Sequence, residues 1–417
     1  MPDVSFSGIV VVSAVAFAAP FVLGLFPRLR FPAVVVEIVL GILLGPSVLG
    51  WVHADLVIRV LAVVGLGFLL FVSGFEVELG HLRGPRLRLP AMGLAISLAL
   101  GLAIGLLLRA GGLIQSPLLI AITLSATSLG LVVPVLKDSG NAGSDFGQLV
   151  IAGSTVADFG AVILLTLFFS GESSGLATKL LLLGTFFLLV LVAGASLAGA
   201  GRSMRVSSEL IRLQDTTAQI RVRGAVLVLM AFLALAARFG LETILGAFLA
   251  GVMLGAVDRD ATMNHPHFRL KLEGIAFGFV VPIFFVASGI EFDAKAVFGR
   301  PSTLVLVPIF LAALLIVRGV PALLYRPLVG DRKTAAAALL QGTSLPFIVA
   351  TTMIGRSLGL ISPATSGALI SAGLLSVLIF PLAALTILRR AEVDAPPSVK
   401  TGPEVDPALV GRRRSEP

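Results

Sequence analysis

The fold is decided by two short segments that resemble each other, Ser125-Ala-Thr-Ser-Leu-Gly130 and Gly342-Thr-Ser-Leu-Pro346. Each lies in the middle of a long apolar stretch and places hydroxyl side chains beside Gly or Pro. Pro removes a backbone donor and Gly weakens a helix, so we expect both helices to be interrupted at mid-depth. Ordinary packing of small residues between helices is the alternative. The residues at the two predicted interruptions are Thr127, Ser128, Thr343, Ser344 and Pro346.

The composition of the whole chain is that of a membrane protein. The 417 residues have a mean hydropathy of +1.05 and are 57% hydrophobic and only 13% charged, whereas soluble domains carry about 25% charged residues. This excludes a secreted disulfide scaffold, a soluble enzyme and a disordered chain. The absence of Cys excludes disulfides and thiolate metal sites. The start, Met1-Pro2-Asp3, lacks the basic region of a cleavable signal, so we expect the first apolar stretch to be retained.

Thirteen apolar segments are long enough to be predicted as membrane spans, since each span takes roughly 20 residues. The chain is therefore expected to be an all-α membrane protein with about 13 transmembrane helices. In order, the predicted spans are 5–26, 31–51, 55–75, 88–109, 115–136, 146–170, 176–199, 221–239, 241–257, 271–290, 302–325, 334–355 and 364–388.

The distribution of basic residues predicts the orientation of these spans. Most of the 31 Lys and Arg residues fall in loops on one side and in the tail after Arg390. Cytoplasmic loops are enriched in Lys and Arg, so we expect the N-terminus outside and the C-terminus in the cytoplasm. The net charge of +8 needs no nucleic-acid partner to explain it. The polar tail, 391–417, is predicted to be disordered.

Three sequence matches indicate an internal repeat. Glu37-Ile-Val-Leu-Gly41 resembles Glu242-Thr-Ile-Leu-Gly246, and Phe71-Val-Ser-Gly-Phe-Glu-Val-Glu78 resembles Ser288-Gly-Ile-Glu-Phe-Asp293. The two Thr-Ser-Leu segments are the third pair. Members of each pair lie seven spans apart, and because seven is odd, the copies face opposite sides of the membrane. Spans 1–6 and 8–13 are thus predicted to form an inverted-topology repeat, with span 7 as linker, the architecture of many secondary transporters. Chance similarity among apolar helices is the alternative.

Asp158 is the strongest candidate for a functional residue. It lies about 18 Å into span 6, near the middle of the bilayer. Ser154 and Thr155 lie four and three residues earlier and share its helical face. A carboxylate beside hydroxyl oxygens suits a hard monovalent cation, and the same carboxylate can carry a proton. A structural Asp that bridges two helices is the alternative.

Other polar residues within or near spans are weaker candidates. Arg318 lies deep in span 11 and is predicted to be a charge partner or gating residue, or else to snorkel toward the cytoplasm. Glu37 and Glu273 are also predicted to be charge partners or gating residues. The alternative is that they are carboxylates at the membrane interface. His265 and His267 lie in a polar loop and are better explained as solvated residues than as metal ligands.

Several motifs together make the chain resemble the monovalent cation:proton antiporter superfamily, in its bacterial Kef-type and sodium/proton exchanger branch. They include Leu69-Leu-Phe-Val-Ser-Gly-Phe-Glu76, the Asp158 segment and Phe284-Phe-Val-Ala-Ser-Gly289. The similarity covers spans 2 to 13. Further matching segments are 32–46, 124–128 and 246–251.

The resemblance implies a homodimer in the bacterial inner membrane that moves its ions by an elevator-like mechanism. It assigns a mobile core to 88–170 and 302–388, a dimerisation scaffold to 5–75 and 221–290, and a linker helix to 176–199. All of these belong to one transmembrane domain, 1–390. Spans 5 and 12 would cross where they unwind. Asp158 would bind the cation, Na⁺ or K⁺, or the proton, lined by Thr127 and Ser128.

The chain departs from the family pattern in two places. The position before the key Asp usually holds Asp, Asn or Gln, but here it is Ala157. A single carboxylate suggests one-for-one electroneutral exchange and leaves the partner of Arg318 open. The tail after Arg390 is too short for a cytoplasmic nucleotide-binding domain, so we expect no regulation in cis by nucleotide. A separate regulatory subunit is retained as an alternative partner.

Two other functions remain as alternatives. A K⁺ efflux channel-like protein would need no proton-coupled carboxylate. A sodium-coupled organic-solute transporter would need more polar or aromatic groups at mid-membrane, and this chain has one Trp and one Tyr. An enzymatic function has only Asp158 in its favour, and no cofactor is expected.

Overall fold

The computed structural model describes residues 6–26, 32–77, 88–169, 175–202, 219–258, 268–299 and 301–393. Within these ranges every regular element is a helix and no strand occurs. Ten helices of the described part of the chain are long and apolar enough to cross a membrane. Three shorter apolar helical stretches lie where spans 2, 5 and 9 are predicted: Ala33–Leu44, Pro117–Val133, which is interrupted after Ser125, and Thr243–Asp258. A multi-pass helical membrane protein is thus confirmed, and the count of thirteen spans stays a prediction.

The first half of the chain contains seven helices and helical segments before the predicted linker helix. They are α1 (Phe6–Leu25), α2 (Ala33–Leu44), α3 (Leu56–Glu76), α4 (Arg88–Ala110), α5 (Pro117–Ser125), α6 (Leu129–Asp138) and α7 (Asp145–Phe169). The predicted linker corresponds to α8 (Leu176–Arg202).

The described part of the second half contains more and shorter helical segments. Its elements are α9 (Ile220–Arg238), α10 (Thr243–Asp258), α11 (Phe268–Ile275), α12 (Val281–Ile290), α13 (Ala294–Phe298), α14 (Pro301–Ala322), α15 (Arg326–Val329), α16 (Asp331–Gly342), α17 (Pro346–Ser357) and α18 (Pro363–Val393). A π-helical turn, Ala276–Val280, joins α11 to α12, and a 3₁₀ turn, Leu323–Tyr325, joins α14 to α15.

The largest differences between predicted and observed boundaries are at the ends of span 2 and span 13. The apolar stretch 31–51 continues past the end of α2, because Gly45 and Pro46 end that helix after Leu44. The tail was predicted to begin at residue 391, but α18 continues to Val393 through residues that tolerate helix. The rest of the tail, and the loop with His265 and His267, lie outside the described residues.

The helices fall into two groups by their packing. In one group, α3 packs on α10 and α12, and α2 packs on α12. These helices approach closely because glycines face one another, and a side chain on Gly41 or Gly251 would meet the backbone of the facing helix. In the other group, α4 packs on α5, α7 and α14, while α14, α16 and α18 pack together. The candidate site lies where these two groups meet.

Candidate functional site

Both segments quoted at the outset interrupt a helix, and the two interruptions bond to each other. The first covers the residues between Ser125 and Leu129, and the second the residues between Gly342 and Pro346. The Ser128 amide donates to the Thr343 carbonyl at 3.0 Å, and the Leu345 amide donates to Ser128 Oγ at 3.1 Å. Backbone groups freed by the breaks are therefore satisfied across the crossing point.

The carboxylate of Asp158, on α7, faces the first interruption. Its Oδ1 accepts a hydrogen bond from the Thr127 amide at 2.9 Å, and its Oδ2 accepts one from the Leu129 amide at 3.1 Å. Leu129 is the first residue of α6. The N-terminus of a helix favours negative charge, because its first amides lack partners within the helix. This arrangement holds an ionised carboxylate in place.

Arg318, on α14, is buried beside this carboxylate, with 2% of its surface exposed. Its Nε donates to Thr127 Oγ1 at 2.8 Å, its Nη1 to Ser97 Oγ at 3.0 Å and its Nη2 to the Gly153 carbonyl at 3.3 Å. All three acceptors are uncharged. Arg318 interacts electrostatically with Asp158, yet no ion pair within 4.0 Å joins these two described residues. The guanidinium is held deep in the bundle and does not snorkel.

Thr127 is the junction of the site. Its amide donates to Asp158, and its hydroxyl accepts from Arg318 and donates to the Gln341 carbonyl at 2.8 Å. Gln341 lies in the last turn of α16, and its side chain donates to the Tyr325 hydroxyl at 3.1 Å. One residue thus connects the carboxylate, the arginine and the end of the second interrupted span.

Ser154 and Thr155 are buried on α7, one turn before Asp158. Among the described residues, Ser154 Oγ has no hydrogen-bond partner. A buried hydroxyl without a partner is costly, but neither Ser154 nor Thr155 is among the residues that line the cavity beside Asp158.

A cavity of about 360 Å³ reaches Asp158 from one end of the bundle. It runs between the two packing groups, past Thr127 and Ser128, to Glu76 and Lys137 at helix ends. Lys137, in the last turn of α6, is one of the basic residues that the predicted orientation places on the cytoplasmic side. The cavity connects the carboxylate to the predicted cytoplasmic side.

The other predicted site residues lie at different distances from this centre. Glu273 is at the cavity wall, where Arg269 donates to it at 2.6 Å and to Glu76 at 2.7 Å. Glu37 is buried on α2 and is not among the cavity-lining residues. The structure therefore brings Glu273, but not Glu37, to the cavity.

The second interruption contributes mainly its backbone. Thr343 Oγ1 donates to the Leu339 carbonyl of its own helix at 3.2 Å, and the Ser344 amide donates to Ser376 Oγ at 3.2 Å. Pro346 begins α17 and lines the cavity.

Sequence reasoning missed four residues of this network. Gln341 directly precedes a predicted interruption, and Tyr325 is the only tyrosine in the chain, so weak signals existed for these two. Ser97 and Ser376 carry no signal, because isolated serines are common in apolar helices.

Two interrupted helices that meet beside a buried carboxylate are typical of secondary transporters. The chain belongs to the family described as "Sodium/hydrogen exchanger, transmembrane", which matches residues 13–390. The family resemblance inferred from the sequence is therefore confirmed.

Named relatives and a solved structure agree with this assignment. YjbQ of Bacillus subtilis, whose name describes it as a candidate Na⁺/H⁺ antiporter, is 31% identical over 409 residues, which cover 94% of this chain and 64% of that protein. The Na⁺/H⁺-K⁺ antiporter GerN of Bacillus cereus is 28% identical over 276 residues, covering 64% of this chain and 67% of its own length. The structure of the sodium proton antiporter MjNhaP1 of Methanocaldococcus jannaschii has a TM-score of 0.62 at 16% identity, covering 92% of this chain and 98% of that one. This last likeness concerns the fold.

Proposed function

We propose that the chain is a secondary active transporter that exchanges a monovalent cation, Na⁺ or K⁺, for protons across the membrane. Asp158 is the site that the two ions share. One observation carries the proposal: the Asp158 carboxylate lies at the crossing of both interrupted helices and at the inner end of the cavity. The names of the relatives indicate which ions are exchanged, and the residues of this chain indicate where those ions bind.

The chemistry of exchange follows from having one carboxylate in this place. A hard cation prefers oxygen ligands, and Asp158, Thr155 and the unpartnered hydroxyl of Ser154 offer them on one helical face. When the carboxylate is protonated, it loses the charge that attracts the cation. The two ions therefore exclude each other, and each crossing carries one or the other.

Stoichiometry depends on the residue before this carboxylate. Ala157 supplies no second acid, and Arg318 is bonded to uncharged acceptors. One cation is exchanged for one proton, so the cycle moves no net charge. Currents measured at a fixed ion gradient that change sign with membrane potential would contradict this stoichiometry.

Transport requires the site to face each side of the membrane in turn. We assign the α4–α7 and α14–α18 helices to a mobile core and the α1–α3 and α9–α12 helices to a scaffold, with elevator-like movement between them. The packing of the helices into two groups, with the cavity between them, supports this division. The seven-span spacing of the matched segments supports an inverted repeat over thirteen spans, with the N-terminus outside.

Family membership also supports a homodimer embedded in a bacterial inner membrane. The division into core and scaffold leaves the scaffold as the part through which two copies would join.

The proposal is tested in proteoliposomes that hold a pH gradient and an internal pH-sensitive dye. Sodium, potassium, lithium and choline are added in turn to the wild type and to Asp158→Asn. We expect sodium or potassium to dissipate the gradient with the wild type and to have no effect with the variant. No response of the folded wild type to any of these cations would overturn the proposal and favour an organic substrate or a channel.

A further inference from the structure

We propose that Ser97 is a positioning residue that keeps the Arg318 guanidinium off Asp158. Ser97 lies on α4, is fully buried and accepts a hydrogen bond from Arg318 Nη1 at 3.0 Å. The inference rests on the proposed function, because it assumes that Asp158 must stay free for cation and proton.

A buried arginine needs acceptors for donors that point in several directions. A guanidinium has five N–H groups in a fixed fork, and leaving such a charge unpartnered in the interior is costly. Here Thr127, Ser97 and the Gly153 carbonyl accept from three different nitrogens. The fork is thereby fixed between α4, α7 and the first interruption.

Asp158 is the obvious alternative acceptor. Its carboxylate interacts electrostatically with Arg318, and bidentate pairing with a carboxylate is among the strong bonds that a guanidinium makes. With Ala157 before Asp158, no neighbouring acid takes up this charge. Uncharged acceptors bind the guanidinium instead. Among them, Ser97 comes from α4, which carries no other part of the site.

Removal of the Ser97 hydroxyl leaves one end of the fork without an acceptor. Arg318 then gains by turning to the Asp158 carboxylate, where it occupies the oxygens that the cation needs. Such competition weakens cation binding, and a higher cation concentration overcomes it. A rise in KM with little change in kcat therefore distinguishes this role from a general loss of packing.

The first test measures initial exchange rates against cation concentration for the wild type, Ser97→Ala and Ser97→Thr. We expect KM to rise about tenfold in Ser97→Ala, as for loss of one hydrogen bond to a charged group, with kcat changed less than about twofold. Ser97→Thr keeps the hydroxyl and restores KM toward the wild-type value. The matched control is Thr166→Val, because the Thr166 hydroxyl is also buried and, among the described residues, bonds only to the Val162 carbonyl of its own helix, at 2.9 Å.

The second test asks whether Ser97 acts through Arg318. In an Arg318→Lys background the side chain has no fork for Ser97 to hold, so adding Ser97→Ala should change cation affinity by less than about twofold. Affinity is read from the cation-induced shift in Tm of the purified protein, which does not require transport. An equal tenfold effect in both backgrounds, or an unchanged KM in Ser97→Ala, would overturn the inference.

Asp158→Asn, measured in parallel, distinguishes failure of the proposed function from failure of the role of Ser97. If that variant still exchanges ions, the proposed function fails. If it is inactive while Ser97→Ala has normal KM and kcat, only the role of Ser97 fails.

Discussion

In the first interrupted span two of the freed amides donate to a carboxylate on the next helix, whereas in the second the corresponding amide donates to a neutral hydroxyl. Thr127 and Leu129 donate to the carboxylate of Asp158 on α7. At the corresponding place, Ser344 donates to Ser376 on α18, and Ser376 also donates to the Ser344 carbonyl. In both cases the acceptor lies on the helix that follows the interrupted span.

Both interruptions expose backbone groups, and both satisfy some of them through a neighbouring helix. Only the first interruption is bonded to an ionisable group, Asp158. Under the proposed function, the two interruptions therefore form one ion site, in which the first binds the ions and the second contributes structure.

The largest difference is expected when each of the two acceptor groups, the Asp158 carboxylate and the Ser376 hydroxyl, is removed by mutation. Asp158→Asn should abolish exchange, because an amide neither takes up a proton near neutral pH nor attracts a cation. Ser376→Ala removes only hydrogen bonds between uncharged groups, each worth about 0.5–1.5 kcal/mol, and should leave exchange within about threefold of the wild type. Initial rates in proteoliposomes check both. A Ser376→Ala variant as inactive as Asp158→Asn would show that both halves carry the chemistry.

A second pair of variants compares the matched threonines. Thr127→Val removes the hydroxyl that joins Arg318 to the Gln341 carbonyl. Bonds to charged groups are worth about 1.5–3 kcal/mol, so we expect exchange to fall about ten- to hundredfold. Thr343→Val removes a bond within its own helix and should cost less than about threefold. Because valine matches threonine in shape, equal losses in the two variants would contradict the role of Thr127 as junction.

The smallest effect is expected for the matched serines. Ser128 Oγ accepts from the Leu345 amide across the crossing point, and Ser128→Ala leaves that buried amide without an acceptor. We expect a loss of about 1 kcal/mol in the free energy of unfolding. Ser344 Oγ has no hydrogen-bond partner among the described residues, so Ser344→Ala should leave stability nearly unchanged. Thermal melting of both purified variants measures this, and equal Tm values would contradict the assigned bond.

Local features of the sequence predicted much of this site. Gly and Pro beside hydroxyls predicted both interruptions, and a lone carboxylate in the middle of an apolar helix indicated Asp158. These signals are readable because each arises within one segment and conflicts with its apolar surroundings.

Features that depend on distant contacts could not be predicted. Ser97 and Gln341 lie 221 and 214 residues from the groups they bond, and the sequence around Ser97 resembles any apolar helix. The partner of Arg318 could not be predicted for the same reason. A motif would reveal a single acidic partner, but Arg318 is bonded to three neutral acceptors on separate segments. Span 2 was predicted too long because hydropathy continues through Gly45 and Pro46 while the helix does not.

The most direct measurement counts the protons released when a cation binds. Purified wild-type protein in weak buffer is titrated with sodium or potassium, at a pH where Asp158 is protonated, while pH and heat are recorded together. We predict a release approaching one proton per bound cation, and neither binding nor release in Asp158→Asn. Cation binding to the folded variant with wild-type affinity, or binding to the wild type without proton release, would contradict the claim that one carboxylate serves both ions.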